Sequence, residues 1–389
     1  MLQKLHNFFN NKKVLLLGFG LEGQSTMRLL EKLNCAKSIE VWEQYHHTTP
    51  LPTDFDIIMK SPGIPLFGKV DSRITGQADL FLRFCENKVV GITGTKGKST
   101  TSSLIHHILT NCNIKSHLIG NIGVPAFDII DILNPNEVVV FELSCHQLEY
   151  CQASPHIAVF LNLYEEHLDH YVDFEHYRMA KENIFKFHKL GDVLIRGEPT
   201  LSVSPPTAGS CAIPVIVPEK AKLRGVHNLH NLAVAVKAAG FLGVDEQSAI
   251  TAGYSFGGLE HRLELFESGG IKWVNDSIST IPAAAIAAVE AFPETDTLII
   301  GGMDRGIDYS TLIEFIKSRP DICVIGLPDT GHKMANYMAK DMADAVEYAR
   351  KVTKHCCVLS PAAASYGFYK NFEERGKHFK ELVKTASTQ

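Results

Sequence analysis

The chain has 389 residues, 45% of them hydrophobic and 21% charged, which suits a folded protein of two or three domains and excludes a disordered or fibrous one. A net charge of −5 gives no reason to expect nucleic acid as a partner. No apolar run approaches the roughly 18 residues of a membrane span, and nine cysteines without a C-x-x-C pair suit reduced cytoplasmic thiols better than a disulfide framework.

The N-terminal stretch MLQKLHNFFNNKK is too polar for a signal peptide. Residues 13–17 read as a buried strand running into Gly18-Phe19-Gly20-Leu21-Glu22-Gly23, a full G-x-G-x-x-G. A helix over 25–33 and a strand over 38–42 follow, with Glu43 about 20 residues past the glycines, where a ribose-binding acid stands in nucleotide-binding folds. The motif alone is equally consistent with glycines that only let helix and strand pack. A strand over 55–59 leads to Ser61-Pro62-Gly63, a turn at the end of a strand where open α/β sheets bind ligands.

The strongest signal is the stretch 89–103, VVGITGTKGKSTTSS. An apolar strand, the loop Gly94-Thr95-Lys96-Gly97-Lys98-Ser99-Thr100 and a helical pattern make the context of a phosphate-binding loop. Glycines let backbone N–H groups converge on a polyphosphate, Lys98 reaches its terminal phosphates, and the Ser99 hydroxyl suits Mg²⁺. Ile92 stands where the strict motif has its first glycine. A strand over 137–141 ends at Glu142, the position of a second Mg²⁺ anchor.

A strand over 157–161 leads to Glu165-Glu166-His167-Leu168-Asp169-His170, acids and histidines that could ligate a metal, His167 foremost. A helix over 174–187 carries Tyr177 and Lys181, and residues 199–218 read as a linker. The His106-His107 pair is expected to be solvated. Beyond Gly257, strands over 271–274, 297–300, 323–325 and 356–359 alternate with helices and end in polar loops, the ligand-bearing side of a parallel sheet.

Twelve segments in this order resemble the Mur ligase family: LGFGLEGQS, SPGI, GITGTKGKST, GNIG, ELSCHQLE, LNLYEEHLDHY, HYRMAK, GVHNLHN, GLEHR, NDSIST, GGMDRGID and SPAAASYGFYKNFEERG. The resemblance covers nearly the whole chain and implies an α/β protein of three domains. These are a Rossmann-like UDP-sugar domain over 1–87, a P-loop ATPase-like domain over 88–256 and a Rossmann-like amino-acid domain over 257–389. It implies a monomeric cytoplasmic enzyme of peptidoglycan precursor synthesis, with neither nucleic acid nor membrane as partner. Its substrates are ATP, UDP-N-acetylmuramoyl-L-alanine and glutamate, D-glutamate in the branch most resembled, and its intermediate is an acyl phosphate.

Residue by residue, the resemblance assigns catalysis to Lys98, Glu142, His167 and Lys181. It gives metal binding to Ser99, Glu142, His167 and Lys181, the last as a carbamate. The nucleotide would meet Gly94 to Thr100, Asn231, Arg262 and Asp276. The sugar nucleotide would meet Gly18, Phe19, Gly20, Leu21, Glu22, Glu43, Ser61, Pro62, Gly63, Asn121 and His167. Ser365 and Phe372 match amino-acid contacts, and Arg305 lies where the family commonly has a lysine. Two departures stand out: Ile278 replaces the lysine that meets the amino acid's side-chain carboxylate, and Lys96 replaces an asparagine. The first leaves room for a related branch that adds L-glutamate. A folylpolyglutamate-type ligase lacks the first domain, and a non-ligating nucleotide-binding protein leaves Lys181 and Arg262 without a role.

Overall fold

The computed structural model describes residues 1–46, 48–166, 170–197 and 220–385. His47, His167, Asp169 and the expected linker over 199–218 lie outside the described residues. Two compact units are present: residues 1–197 with 230–254, and residues 220–229 with 255–385.

The first unit contains two parallel sheets. It opens with α1 (Leu2–Phe9), β1 (Lys13–Leu17), α2 (Leu21–Leu33), β2 (Ser38–Trp42), β3 (Ile57–Lys60), β4 (Ile74–Thr75) and α3 (Gln77–Phe84), whose strands pair in the order β2-β1-β3-β4. It continues with β5 (Val89–Thr93), α4 (Lys98–Asn111), β6 (Ser116–Gly120), β7 (Val138–Glu142), α5 (Cys145–Leu148), β8 (Ile157–Phe160), α6 (Phe174–Lys186) and β9 (Val193–Arg196), giving β6-β7-β5-β8-β9. Helices α7 (Val226–Gly240) and α8 (Glu246–Tyr254) follow, and the chain passes between the units within α7.

The central strands are apolar on both faces because helices cover both, as parallel sheets require; all five residues of β5 and of β7 are buried. One core cluster runs from Leu5 and Phe9 through Phe81 and Phe141 to Ile184 and Phe185. The sequence reading missed α1, where Leu5 and Phe9 lie four apart on one face and are fully buried. It also missed β4, α3, β6 and β9. Helix α2 begins at Leu21, four residues earlier than expected, directly on the glycine motif.

The second unit contains β10 (Glu264–Ser268), β11 (Ile271–Asn275), α9 (Pro282–Ala291), β12 (Thr295–Gly302), α10 (Ser310–Ser318), β13 (Cys323–Asp329), β14 (Tyr337–Met338), α11 (Met342–Val352), β15 (Cys356–Leu359) and α12 (Phe372–Thr385). The strand order is β10-β11-β15-β12-β13-β14, parallel except for the β10–β11 hairpin. Separate apolar clusters flank this sheet, one around Trp273, Ile325 and Phe379, the other around Val274, Ile300 and Phe292. Among the described residues no helix is long and apolar enough to cross a membrane, and all described cysteines are free.

Candidate active site

Strand β5 lies between β7 and β8, so the loop after it opens at the point where the strand order reverses. Register places Ile92 beside Glu142 and Thr93 beside Phe160, which brings the loop over 94–97 between Glu142 and Asn162. Glycine is required twice in that loop. Gly94 has φ +154° and a Cβ there would meet the Leu161 Cβ at 2.9 Å; Gly97 has φ +85° and a Cβ would meet Asn231 Oδ1 at 2.7 Å. Helix α4 starts at Lys98 with no side-chain cap, so its first N–H groups face the loop, the arrangement that takes a phosphate.

Side chains from several elements hold the loop in place. Lys96 N–H donates to Asn162 Oδ1 at 2.8 Å, and Asn162 Nδ2 donates to Lys96 O at 3.1 Å. Lys96 Nζ pairs with Glu166 at 2.6 Å. The Thr95 hydroxyl meets the Tyr177 hydroxyl at 2.9 Å and accepts from Tyr164 N–H at 2.9 Å. Lys98 Nζ donates to Gly94 O and Thr95 O at 2.9 and 3.0 Å, and Lys181 Nζ, reaching across from α6, donates to the same Gly94 O at 2.9 Å. Lys181 is 1% exposed, and burial, helped by the nearby charge of Lys98, pushes its ammonium down to about 7. Burial lowers Lys98 as well.

Glu142 is fully buried at the end of β7. Its Oε1 accepts from Ser99 Oγ at 3.3 Å and from Asn121 Nδ2 at 2.8 Å, while its Oε2 has no hydrogen-bond partner among the described residues. A buried carboxylate oxygen left bare is costly, and beside a hydroxyl at a phosphate loop it suits a hard divalent cation with oxygen ligands. Ser99 and Glu142 therefore fit Mg²⁺. No group of three or more His, Cys, Asp or Glu is gathered as a metal site among the described residues. Asn121 is thus bound to the acid at the loop.

On the first sheet, the glycines of G-x-G-x-x-G bring α2 close to β1. Gly18 has φ +93° and its carbonyl accepts from Ser61 Oγ at 2.9 Å; a Cβ on Gly23 would meet Gly18 O at 2.5 Å. Gly20 and Gly63 have open space where a side chain would be. Leu21 and Glu43 are exposed, Phe19 is half-buried, and Pro62 O accepts from Lys60. Glu22 accepts from Gln147 Nε2 at 2.6 Å, and burial raises its carboxyl to about 7.

Lys60 is a residue the sequence reading missed. Its side chain is 2% exposed and pairs with Glu149 at 3.2 Å; Glu149 also meets His170 Nε2 at 3.3 Å. The available signal was a lysine closing the apolar run Ile57-Ile58-Met59. His106, expected to be solvated, is half-buried with its Nδ1 2.8 Å from the Ser116 hydroxyl, because β6 packs against α4.

In the second unit the polar loops meet at the carboxyl edge of the sheet. Asp276 is 3% exposed, and its carboxylate accepts from Ser279 Oγ, Ser360 Oγ and Leu263 N–H. Burial raises it to about 6, with Arg262 nearby opposing the rise. Ser365 is buried, and the backbone carbonyl of the half-buried Phe372 accepts from Ser277 Oγ at 2.8 Å. Arg305 is exposed with no hydrogen bond or ion pair to another described residue. Its loop is tied by Asp304, which pairs with Lys333 at 2.7 Å. Ile278 is half-buried and offers no charge.

Residues 92–198 match the Mur ligase middle domain. A UDP-N-acetylmuramoylalanine–D-glutamate ligase of Clostridium kluyveri is 35% identical over 85% of this chain and 83% of its own length. The chain belongs to the Mur ligase family. A relative of the same name from Aquifex aeolicus is 30% identical over 95% of this chain and 98% of its own. The Mur ligase fold is shared with solved structures: MurF ligase of Thermotoga maritima in complex with ADP superposes with a TM-score of 0.61 at 17% identity, covering 98% of this chain and 96% of that one. MurC of the same organism gives 0.59 at 17% identity over 97% and 100%. The protein is therefore a Mur-type ligase.

Proposed function

We propose that this ligase uses ATP to join D-glutamate to UDP-N-acetylmuramoyl-L-alanine. The observation that carries this reading is the convergence of Lys98 and Lys181 on Gly94 O beside the half-bare carboxylate of Glu142. A carboxylate is a poor electrophile for an amine in water. Phosphorylating it first makes an acyl phosphate and releases ADP; the amine then attacks that carbonyl, and inorganic phosphate leaves from the tetrahedral intermediate. Both steps put negative charge on crowded oxygens, and preorganised cations stabilise it.

The chain's own groups divide this work. Lys98, whose bonds to Gly94 O and Thr95 O hold it over the loop, turns to the β- and γ-phosphates. Loop and α4 N–H groups take the remaining phosphate oxygens. Mg²⁺ held by Ser99 and Glu142, and a second ion near His167, would spread charge on the phosphate oxygens. Lys181 is held close to neutral by burial. Its amine can add CO₂ and lose a proton, giving a carbamate anion beside Lys98. Asn231 lies against Gly97 and takes the nucleotide with the loop; Arg262 and Asp276 are further nucleotide contacts. Gly18 to Glu22, Glu43, Ser61 to Gly63, Asn121 and His167 take the sugar nucleotide. Arg305, Ser365 and Phe372 take the amino acid.

The three sheets support a division into domains at residues 87 and 256. The protein acts as a cytoplasmic monomer without nucleic-acid or membrane partners. The test is product mass after incubation with ATP, Mg²⁺ and UDP-N-acetylmuramoyl-L-alanine, with D- and L-glutamate run side by side. An adduct with D-glutamate supports the reading; ATP hydrolysis indifferent to both co-substrates overturns it.

A further inference from the structure

Two sheets of the first unit share the reaction proposed above: the first ends in the turn over 61–63, and the second carries the phosphate loop over 94–97. Several side chains tie these sheets together. Arg28 pairs with Asp128 and Lys32 with Asp131, but all four side chains are roughly a third or more exposed, and such pairs fix little. Gln147 donates to Glu22 at 2.6 Å and the Tyr150 hydroxyl to Lys69 O at 2.9 Å. The Lys60–Glu149 tie differs in kind, because it is an ion pair whose side chains are only 2% and 9% exposed.

Lys60 closes β3, and its ammonium bridges two places. It donates to Pro62 O at 3.3 Å, inside the turn over 61–63, and it pairs with Glu149 Oε2 at 3.2 Å. The same carboxylate oxygen lies 3.3 Å from His170 Nε2. The backbone at Glu149 is held as well: Asn183 Nδ2 donates to Leu148 O at 3.0 Å and to Glu149 O at 3.2 Å. Asn183 sits on α6, two residues past Lys181. One buried pair thus spans from the first sheet's turn to the helix that bears Lys181. Stability gives little reason for these charges, because a buried ion pair is often matched or bettered by apolar residues of the same volume. What the pair does impose is a single geometry.

We infer that Lys60 and Glu149 are positioning residues that set the register between the sheet taking the sugar nucleotide and the sheet taking ATP. The inference rests on the substrates proposed above. The acceptor carboxylate and the γ-phosphate react only when aligned, and a misplacement of about 1 Å can cost about 100-fold in rate. The pair acts through the turn over 61–63 and through α6, not by contact with a reacting atom.

The experiment compares the full chain with K60M/E149Q, which removes both charges together and so strands neither. It measures kcat, KM for ATP and for the sugar nucleotide, and single-turnover ADP formation, with thermal unfolding as a folding check. The double variant should lose about tenfold or more in kcat and in single-turnover ADP formation, while both KM values stay within about threefold. If the double variant does not fold, K60M, which leaves Glu149 with His170, decides by the same criteria. An unchanged kcat in the folded variant overturns the inference. A loss confined to the KM for the sugar nucleotide also overturns it, because it marks a ligand contact, and so does a rise in both KM values together, because it marks general loosening. A parent enzyme whose ADP formation is indifferent to the sugar nucleotide overturns the substrate reading and the inference with it; a dependent parent beside an unchanged variant overturns the inference alone.

Discussion

Lys98 and Lys181 share one acceptor: the Gly94 carbonyl oxygen lies 2.9 Å from each ammonium nitrogen. Two cations on one oxygen repel, and burial penalises both. Burial pushes the less exposed of them, Lys181, down to about 7. Its charge is therefore the adjustable one, and the carbamate proposed there would convert repulsion into attraction.

Lys181→Ala should lower ligation by about 100-fold, the scale of removing one preorganised charge at such a site. A short carboxylic acid in the buffer should restore part of the loss by standing in for the carbamate. Phosphate release with and without added acetate checks this, and full activity of the alanine variant contradicts it.

The pH dependence of stability follows from the same lysine. Its folded pKa, about 7, lies below the unfolded value of 10.5, so the unfolded chain binds more protons between them. The penalty is complete below pH 7 and is relieved as pH rises toward 10.5. Lys181→Met should therefore stabilise the protein most at pH 6 and least near pH 10. Denaturant titrations at the two pH values measure the difference.

Asp276 works in the opposite sense. Its folded pKa, about 6, lies above the unfolded 3.8, so the folded protein binds the extra proton and loses stability as pH rises through that window. Asp276→Asn should be at least as stable as the parent at pH 8 while binding nucleotide less well. Thermal unfolding and nucleotide titration read the two effects separately.

Two ion pairs should respond very differently to mutation. Lys96–Glu166 is largely exposed, so Lys96→Asn should change stability by less than about 1 kcal/mol. Lys60–Glu149 is buried, and Glu149→Gln strands the Lys60 charge at a cost of about 3 kcal/mol or more. Urea unfolding of the two variants gives the ratio.

Much of this was legible in the sequence because periodicity and loop chemistry are local. The phosphate loop, the strand before it and Glu142 at the end of β7 were readable from spacing, and β1, β2 and β15 from short apolar runs. The rest depends on contacts distant in the chain. Helix α1 is stabilised by burying Leu5 and Phe9 in a core shared with Phe81. Lys60 matters through Glu149, 89 positions on. No local pattern reports such partners.

The most direct test of the central claim follows an oxygen atom. With ¹⁸O in the alanyl carboxylate of UDP-N-acetylmuramoyl-L-alanine, an acyl phosphate formed by attack on the γ-phosphate carries one labelled oxygen into the inorganic phosphate released on amide formation. The account predicts one ¹⁸O per phosphate, dependent on D-glutamate. Unlabelled phosphate released alongside amide product would contradict it.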